Sequence, residues 1–177
     1  GNALTRLRDY EGAEAALNKA IDKAGGRSAE ALAMLAQAET RLGRDEAALA
    51  HYDAALAIDP DQPVAQGGKA ALLQTLGRFD EAEVWFRRVF QTDPDNGENY
   101  RLFITSHKTK AGDPILAQME AKLADPRLGD TDRMNLNFAM AKALEDVKDN
   151  SRVFGYLDAA NALMRKAYPY DIAARYR

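Results

Sequence analysis

The 177-residue chain has no cysteine, only two histidines and six prolines, and no apolar run approaching the roughly 20 residues that span a bilayer. The missing cysteine excludes disulfides, thiolate nucleophiles and cysteine-ligated metal, and points to a reducing compartment, expected here to be the cytoplasm. Its first ten residues, GNALTRLRDY, lack the apolar core of a signal peptide. Charge of one sign is lacking too: 24 basic against 27 acidic residues leave a net −3, which gives no reason to expect nucleic acid or an anionic membrane as partner. The histidines, His51 and His107, stand far apart with no HxxxH spacing, so no metal site is expected. What is present is the composition of a soluble globular chain, 46% hydrophobic and 29% charged.

It is also repetitive. LGRDEAALAHYDAALAIDPDQ (42–62) aligns with LGRFDEAEVWFRRVFQTDPDN (76–96), matching Gly43 to Gly77, Ala48 to Ala82, Tyr52 to Phe86, Ala55 to Val89 and Pro60 to Pro94. LRDYEGAEAALNKAIDKAGGR (7–27) places Ala13, Leu17 and Ala20 in the same slots. This pattern resembles the tetratricopeptide repeat, which implies an all-α right-handed superhelix of antiparallel helix pairs. Small residues where helices cross (Ala36 with Ala48, Ala70 with Ala82) let backbones approach, and Leu35, Tyr52, Leu73 and Phe86 fill the grooves beside them. A turn at Gly43, Gly77 or an equivalent separates the helices of each pair. Asp59-Pro60 and Asp93-Pro94 end second helices, because proline disfavours helical geometry at the residue before it. Tyr10, Phe79 and Trp85 are expected to pack in or near the core.

The resemblance gives the division 1–96 for three repeats, the first truncated, with residue 1 falling inside a first helix. Segment 97–126 reads as a degenerate helical hairpin. Tyr100, Phe103, Ile104 and His107 fall at i, i+3, i+4 and i+7; Gly112-Asp113-Pro114 stops that helix and starts the next, with stripe Ile115, Leu116, Met119 and Leu123. Segment 127–168 reads as a divergent final repeat. There Thr131 or Asp130 caps a helix with stripe Met134, Phe138, Ala141 and Leu144, Lys148-Asp149-Asn150 is the turn, and Val153, Phe154, Leu157 and Ala160 line the last helix. Residues 169–177 start a linker or helix.

Catalysis finds little footing. Ser106, His107 and Lys108 are adjacent on one helix and point about 100° apart, so they form no nucleophile–base pair. His107 is expected to be a core or groove-edge residue. Gly25-Gly26-Arg27-Ser28 and Gly67-Gly68-Lys69 lack the preceding strand of a phosphate loop and read as a turn and a helix interior. The paired glycines cost roughly 1 kcal/mol each against alanine, which suggests close packing or open space in the groove.

Beyond the repeats, Asp113-Pro114, Leu123-Ala124-Asp125-Pro126, Leu128, Arg133, Phe138-Ala139, the run Ala141 to Asp146, Phe154, Leu157, Asn161 and Pro169-Tyr170-Asp171 resemble the segment that joins repeats to the catalytic domain in bacterial sulfotransferases containing tetratricopeptide repeats. Lys148-Asp149-Asn150-Ser151 replaces the usual Gly-Asp-Tyr-Asp turn of that family. The resemblance implies a non-catalytic N-terminal region that positions a protein or peptide substrate. The sulfuryl donor PAPS would be bound only by a domain beyond Arg177, since no phosphate-binding stretch occurs within the chain. The alternative is a free-standing adaptor with no enzyme attached.

Repeats of this kind usually bind peptides on the face lined by first-helix positions 2, 5, 9, 12 and 13. Carried onto this sequence, those positions give Asn2, Arg6, Gln37, Arg41, Gln74, Arg101, Thr105 and Lys108 as candidate groove residues. Arg6, Arg41, Arg101 and Lys108 would make the groove locally basic, suited to an acidic or extended segment, from a partner or from the same polypeptide. The carboxylate clamp of the family is absent, because Ala33, Gly67 and Ala71 occupy its central slots.

Overall fold

Where the chain reverses, a residue must enter the left-handed region, and glycine does so without a Cβ clash. Gly43 and Gly77 have φ +73° and +77°. Each lets the next amide reach back to a carbonyl of the preceding helix, Arg44 N to Glu39 O and Arg78 N to Leu73 O, both at 2.9 Å. These two reversals organise the first part of a computed structural model that describes residues 2–168, with side chains from residue 9 onward. Every regular element among the described residues is an α-helix. They are α1 (Asn2–Lys23), α2 (Ala29–Arg41), α3 (Asp45–Ile58), α4 (Pro63–Thr75), α5 (Phe79–Thr92), α6 (Gly97–Ser106), α7 (Pro114–Ala124), α8 (Asp130–Asp146) and α9 (Asn150–Ala167). They form two compact units that divide after Pro94.

In the first unit α2 pairs with α3 and α4 with α5, while α1 packs on α2 and α4 sits against both α2 and α3. Ala36, Ala48, Ala70 and Ala82 are fully buried at the crossings, with Leu35, Tyr52, Leu73 and Phe86 beside them, as the spacing predicts. Each of the larger side chains contributes roughly 1.5–3 kcal/mol by leaving water. Gly68 answers the question raised by the paired glycines. A Cβ at that position would collide with the buried Tyr52 ring and hydroxyl, so α4 approaches α3 more closely than alanine would permit. Gln66, also buried, ties the unit together by donating to the Pro60 carbonyl (2.7 Å) and accepting from the Thr92 hydroxyl (2.6 Å).

α1 runs unbroken from Asn2 to Lys23, through Arg8, which the alignment sets opposite Gly43. One expectation fails in this unit. Phe79 is 54% exposed rather than packed, because it is the first residue of α5 and projects from the helix end. Tyr10 and Trp85 are half-buried; Trp85 lies between the Lys69 ammonium (4.4 Å from the ring centre) and the Arg88 guanidinium (4.7 Å).

The second unit is built differently. α6, α7 and α9 all pack on α8. Met134, Leu136, Ala139, Met140, Ala141, Ala143 and Leu144 of α8 are buried around much of its circumference. The expected one-sided stripe through Phe138 is therefore corrected: Phe138 is only half-buried, and a helix apolar on several faces is a central helix. Within segment 97–126, α6 and α7 both pack on α8, and Gln118 of α7 donates to the Tyr100 hydroxyl of α6 at 2.9 Å. α6 stops at Ser106, six residues before Gly112, because the connecting segment is drawn to the C-terminal end of α8, where the Asp146 carboxylate accepts from Thr109 N at 3.2 Å. Asp113 does cap α7, its carboxylate accepting from Ile115 N (3.1 Å), with Pro114 in the first helical position. Gly129, not Thr131 or Asp130, precedes α8. Between α8 and α9, Lys148 stands at φ +63° in the same reversal that glycine makes in the first unit, Asp149 N reaching Leu144 O at 3.0 Å. In α9, Val153 and Ala160 are buried, but Phe154 is 71% exposed. The expectation for residues 169–177 lies outside the described residues.

Candidate functional site

Helix periodicity leaves one stripe of α2 in solvent: Glu30, Met34, Gln37 and Arg41, at i, i+4, i+7 and i+11. Ala31, Leu32, Leu35, Ala36 and Ala38 take the buried sides, so the stripe is what packing against α1, α3 and α4 leaves uncovered. On the neighbouring α4 the outward positions are Val64 and Thr75, with Ala71 and Gln74 half-buried. Side chains on α4 are short at this surface, so α2 supplies the reach and the charge. Arg41 is exposed at the end of α2 and makes no ion pair with a carboxylate among the described residues. The buried Tyr52 hydroxyl lies near enough to feel its charge. Burial raises the Tyr52 pKa, and the hydrogen bond to Thr40 and the Arg41 charge pull against that.

The other candidates divide into three groups. Asn2 and Arg6 fall in α1, with side chains outside the described set. Gln37, Arg41 and Gln74 belong to the first unit, on α2 and α4. Arg101, Thr105 and Lys108 belong to the second. Arg101 donates from Nε to Asn135 Oδ1 of α8 (2.9 Å) and faces Glu98 at 3.9 Å. Thr105 turns its hydroxyl back to the Arg101 carbonyl, at 2.9 Å. Lys108, expected on a helix, lies past the end of α6 and pairs with Asp146 at 2.6 Å. Among the described cations of the expected groove, Arg101 and Lys108 pair with carboxylates while their side chains stay exposed, and Arg41 is exposed with no ion pair.

Asp146 gathers three donors in the second unit. Its buried carboxylate accepts from Lys108 Nζ (2.6 Å), Lys142 Nζ (2.7 Å) and Thr109 N (3.2 Å). Burial alone would push its pKa up, but the two ammonium groups and the amide outweigh it and hold the carboxyl at about 2. Arg133 does comparable work at the end of α7, donating to the carbonyls of Leu123 and Asp125, each at 2.6 Å. Both histidines have carboxylate partners that sequence reasoning missed. His51 Nδ1 lies 2.7 Å from the buried Glu39, and His107 Nε2 lies 2.7 Å from Asp113 while its ring stacks on Phe103 at 4.5 Å. His107 is thus the C-cap residue of α6, half-buried against Phe103 and fixed by the residue that caps α7. No local signal announces either pair, because each joins residues from different helices or from both sides of a loop.

Family models described as tetratricopeptide repeat match residues 1–63 and 46–105. Residues 1–105 carry tetratricopeptide repeats. The matched tetratricopeptide region covers the first unit and α6. No curated protein sequence matches the chain. Among solved structures, the MamA RS-1 ArsTM double mutant is similar at TM-score 0.58 and 18% identity, over 96% of this chain and 99% of that one. YrrB, described as a TPR protein with an unusual peptide-binding site, is similar at TM-score 0.55 and 19% identity, over 86% of this chain and 84% of that one. At these identities the likeness is one of fold, and it establishes the all-α tetratricopeptide solenoid. No helix among the described residues is long and apolar enough to cross a membrane.

Proposed function

We propose that the chain is a protein-interaction module in which the outward surface of α2 and α4 takes an extended peptide segment with an acidic residue placed near Arg41. The observation that supports this most is the stripe Met34, Gln37 and Arg41 beside the short side chains of α4. It offers an apolar contact, an amide and an uncompensated cation in line, along a surface low enough for a peptide backbone to approach. Gln74 adds a second amide on α4. YrrB, a repeat protein of the same fold with a peptide-binding site, supports the class of ligand. The test is a fluorescence-polarisation scan of extended peptides that differ only in charge. Acidic peptides should bind best, and Arg41→Glu should weaken them about tenfold or more, the scale of one charge-assisted hydrogen bond. Unchanged acidic-peptide binding by Arg41→Glu would overturn the reading.

The parent protein is read as a bacterial, cytoplasmic sulfotransferase with tetratricopeptide repeats, this chain being its positioning region; the alternative is a free-standing adaptor. The resemblance of residues 113–171 supports the first. Several of those residues have defined structural work, Asp113 and Arg133 at the two ends of α7 and Asp146 at the end of α8. No residue of the chain is assigned to PAPS. The coding sequence beyond Arg177 separates the two readings: a following domain with a phosphate-binding loop supports the enzyme, and a stop codon removes it.

A further inference from the structure

α9 shows solvent an apolar stripe that the rest of its unit leaves uncovered. On α9, Phe154, Leu157, Asn161 and Met164 follow each other at spacings of three, four and three residues, the alternation that keeps one seam facing a partner helix, and Tyr168 stands just past the helix as its C-cap. Phe154 and Tyr168 are each 71% exposed and Met164 is 40% exposed, while Leu157 is half-buried. α9 contacts α8 through a different strip, Val153 and Ala160, which are buried. Isolated apolar side chains on a surface are ordinary, but a row at seam spacing marks a surface built for contact.

The charges beside the seam say which contact. Asp158 and Arg165 flank it on the same side, seven residues apart, both exposed and neither joined to another described residue by an ion pair. Every other residue in the flanking positions is uncharged: Ala160 and Ala167 on the other edge of the seam. We propose that the stripe is covered by α9 of a second copy of this chain, paired antiparallel so that Asp158 of each copy faces Arg165 of the other. Antiparallel helices bring like flanking positions together, so this one register makes two ion pairs. It places Asn161 against Met164 of the second copy and leaves Leu157 toward the end of the second copy's α9, where Tyr168 follows as the C-cap. A slip of one heptad would set Asp158 against Asp158 of the second copy, and a parallel pairing would set Arg165 against Ala160. The surface is self-complementary, as a two-fold interface requires, and the asymmetric placement of one acid and one base penalises the other registers. Asn161, the polar member of the seam, limits its strength and favours a concentration-dependent dimer over a permanent one.

The experiment is sedimentation equilibrium of the full chain over a range of concentrations, with far-UV circular dichroism as a check on folding. The weight-average mass should rise from the monomer value of 19.4 kDa toward twice that value. Asp158→Arg and Arg165→Asp should each stay monomeric when alone, since both ion pairs become repulsive. Mixed in equal amounts, they should associate again, because the mixed pair restores both attractions. Met164→Glu should abolish association while leaving helix content unchanged. A wild-type chain that stays monomeric throughout overturns the proposal and leaves the stripe to another occupant. Association that survives Met164→Glu, or single variants that fail to recover on mixing, overturns it equally.

Discussion

The two units fasten their helices differently. In the first, successive helices pack on one another, α4 also reaches back to α2, and alanines at the crossings set the spacing. In the second, a single helix, α8, is enclosed by three others, and polar residues fasten the joints. Asp146 holds the segment after α6, Arg133 holds the end of α7, and Asp132 meets the start of α6 through Gly97 N at 3.1 Å. A repeat needs only a local pattern to find its neighbour. A central helix needs specific ties, because its surface offers several similar faces to choose from.

The sharpest way to break the contrast is at its two tight glycines. A Cβ at Gly97 would run into the main chain of Asp132, which cannot swing aside, whereas one at Gly68 would meet the Tyr52 side chain. Gly97→Ala should therefore cost about 3 kcal/mol and Gly68→Ala about 1–2 kcal/mol in denaturant unfolding. Equal losses would mean that main-chain contact in the second unit is no stiffer than side-chain contact in the first.

Next in size is Asp146→Asn, expected to cost about 2 kcal/mol at neutral pH, a value already reduced for the exposure of both lysines. The sign of its pH dependence follows from the depressed pKa. The native carboxyl titrates at about 2 against an ordinary 3.8, so its contribution is complete above about pH 4 and is lost as pH falls through about 2. Thermal melts of wild type and Asp146→Asn should converge across that window. A constant gap between them would remove Asp146 from the account.

A smaller and opposite effect sharpens the comparison at the turns. Lys148 carries the positive φ that Gly43 and Gly77 carry in the first unit. Lys148→Gly should stabilise by about 1 kcal/mol, seen as a higher melting temperature. The smallest effect belongs to Arg41→Glu. It should change unfolding free energy by less than about 0.5 kcal/mol, since Arg41 is exposed and has no described ion pair. A large loss would mean that Arg41 braces the fold instead of facing a ligand.

The legibility of the sequence follows the same divide. Ala36, Ala48, Tyr52, Ala70, Ala82 and Phe86 are placed correctly by the repeat spacing alone, because their slots recur and each slot has one packing task. Asp113 and Pro114 are readable as a helix start for local reasons of capping. Phe138 and Phe154 are misplaced by the same reasoning. A stripe on paper assumes one buried side, while α8 has several and α9 keeps part of its apolar surface outside. The groove residues are readable as positions but not as partners. Whether Arg101 or Lys108 faces a ligand depends on Asn135 and Asp146, which lie more than 30 residues away in the chain.

By itself the sequence determined the helices, the repeat spacing and the small-against-large packing of the first unit. Those depend on periodicity and on residue volume, which are local properties. Only the tertiary structure decided that α8 is central, that Gly68 exists for the Tyr52 ring, and that Arg41, among the described groove cations, makes no ion pair. It decided likewise that α9 ends with an open apolar seam. Each of these is a question of which distant group arrives beside a given side chain, and the chain must fold before that has an answer.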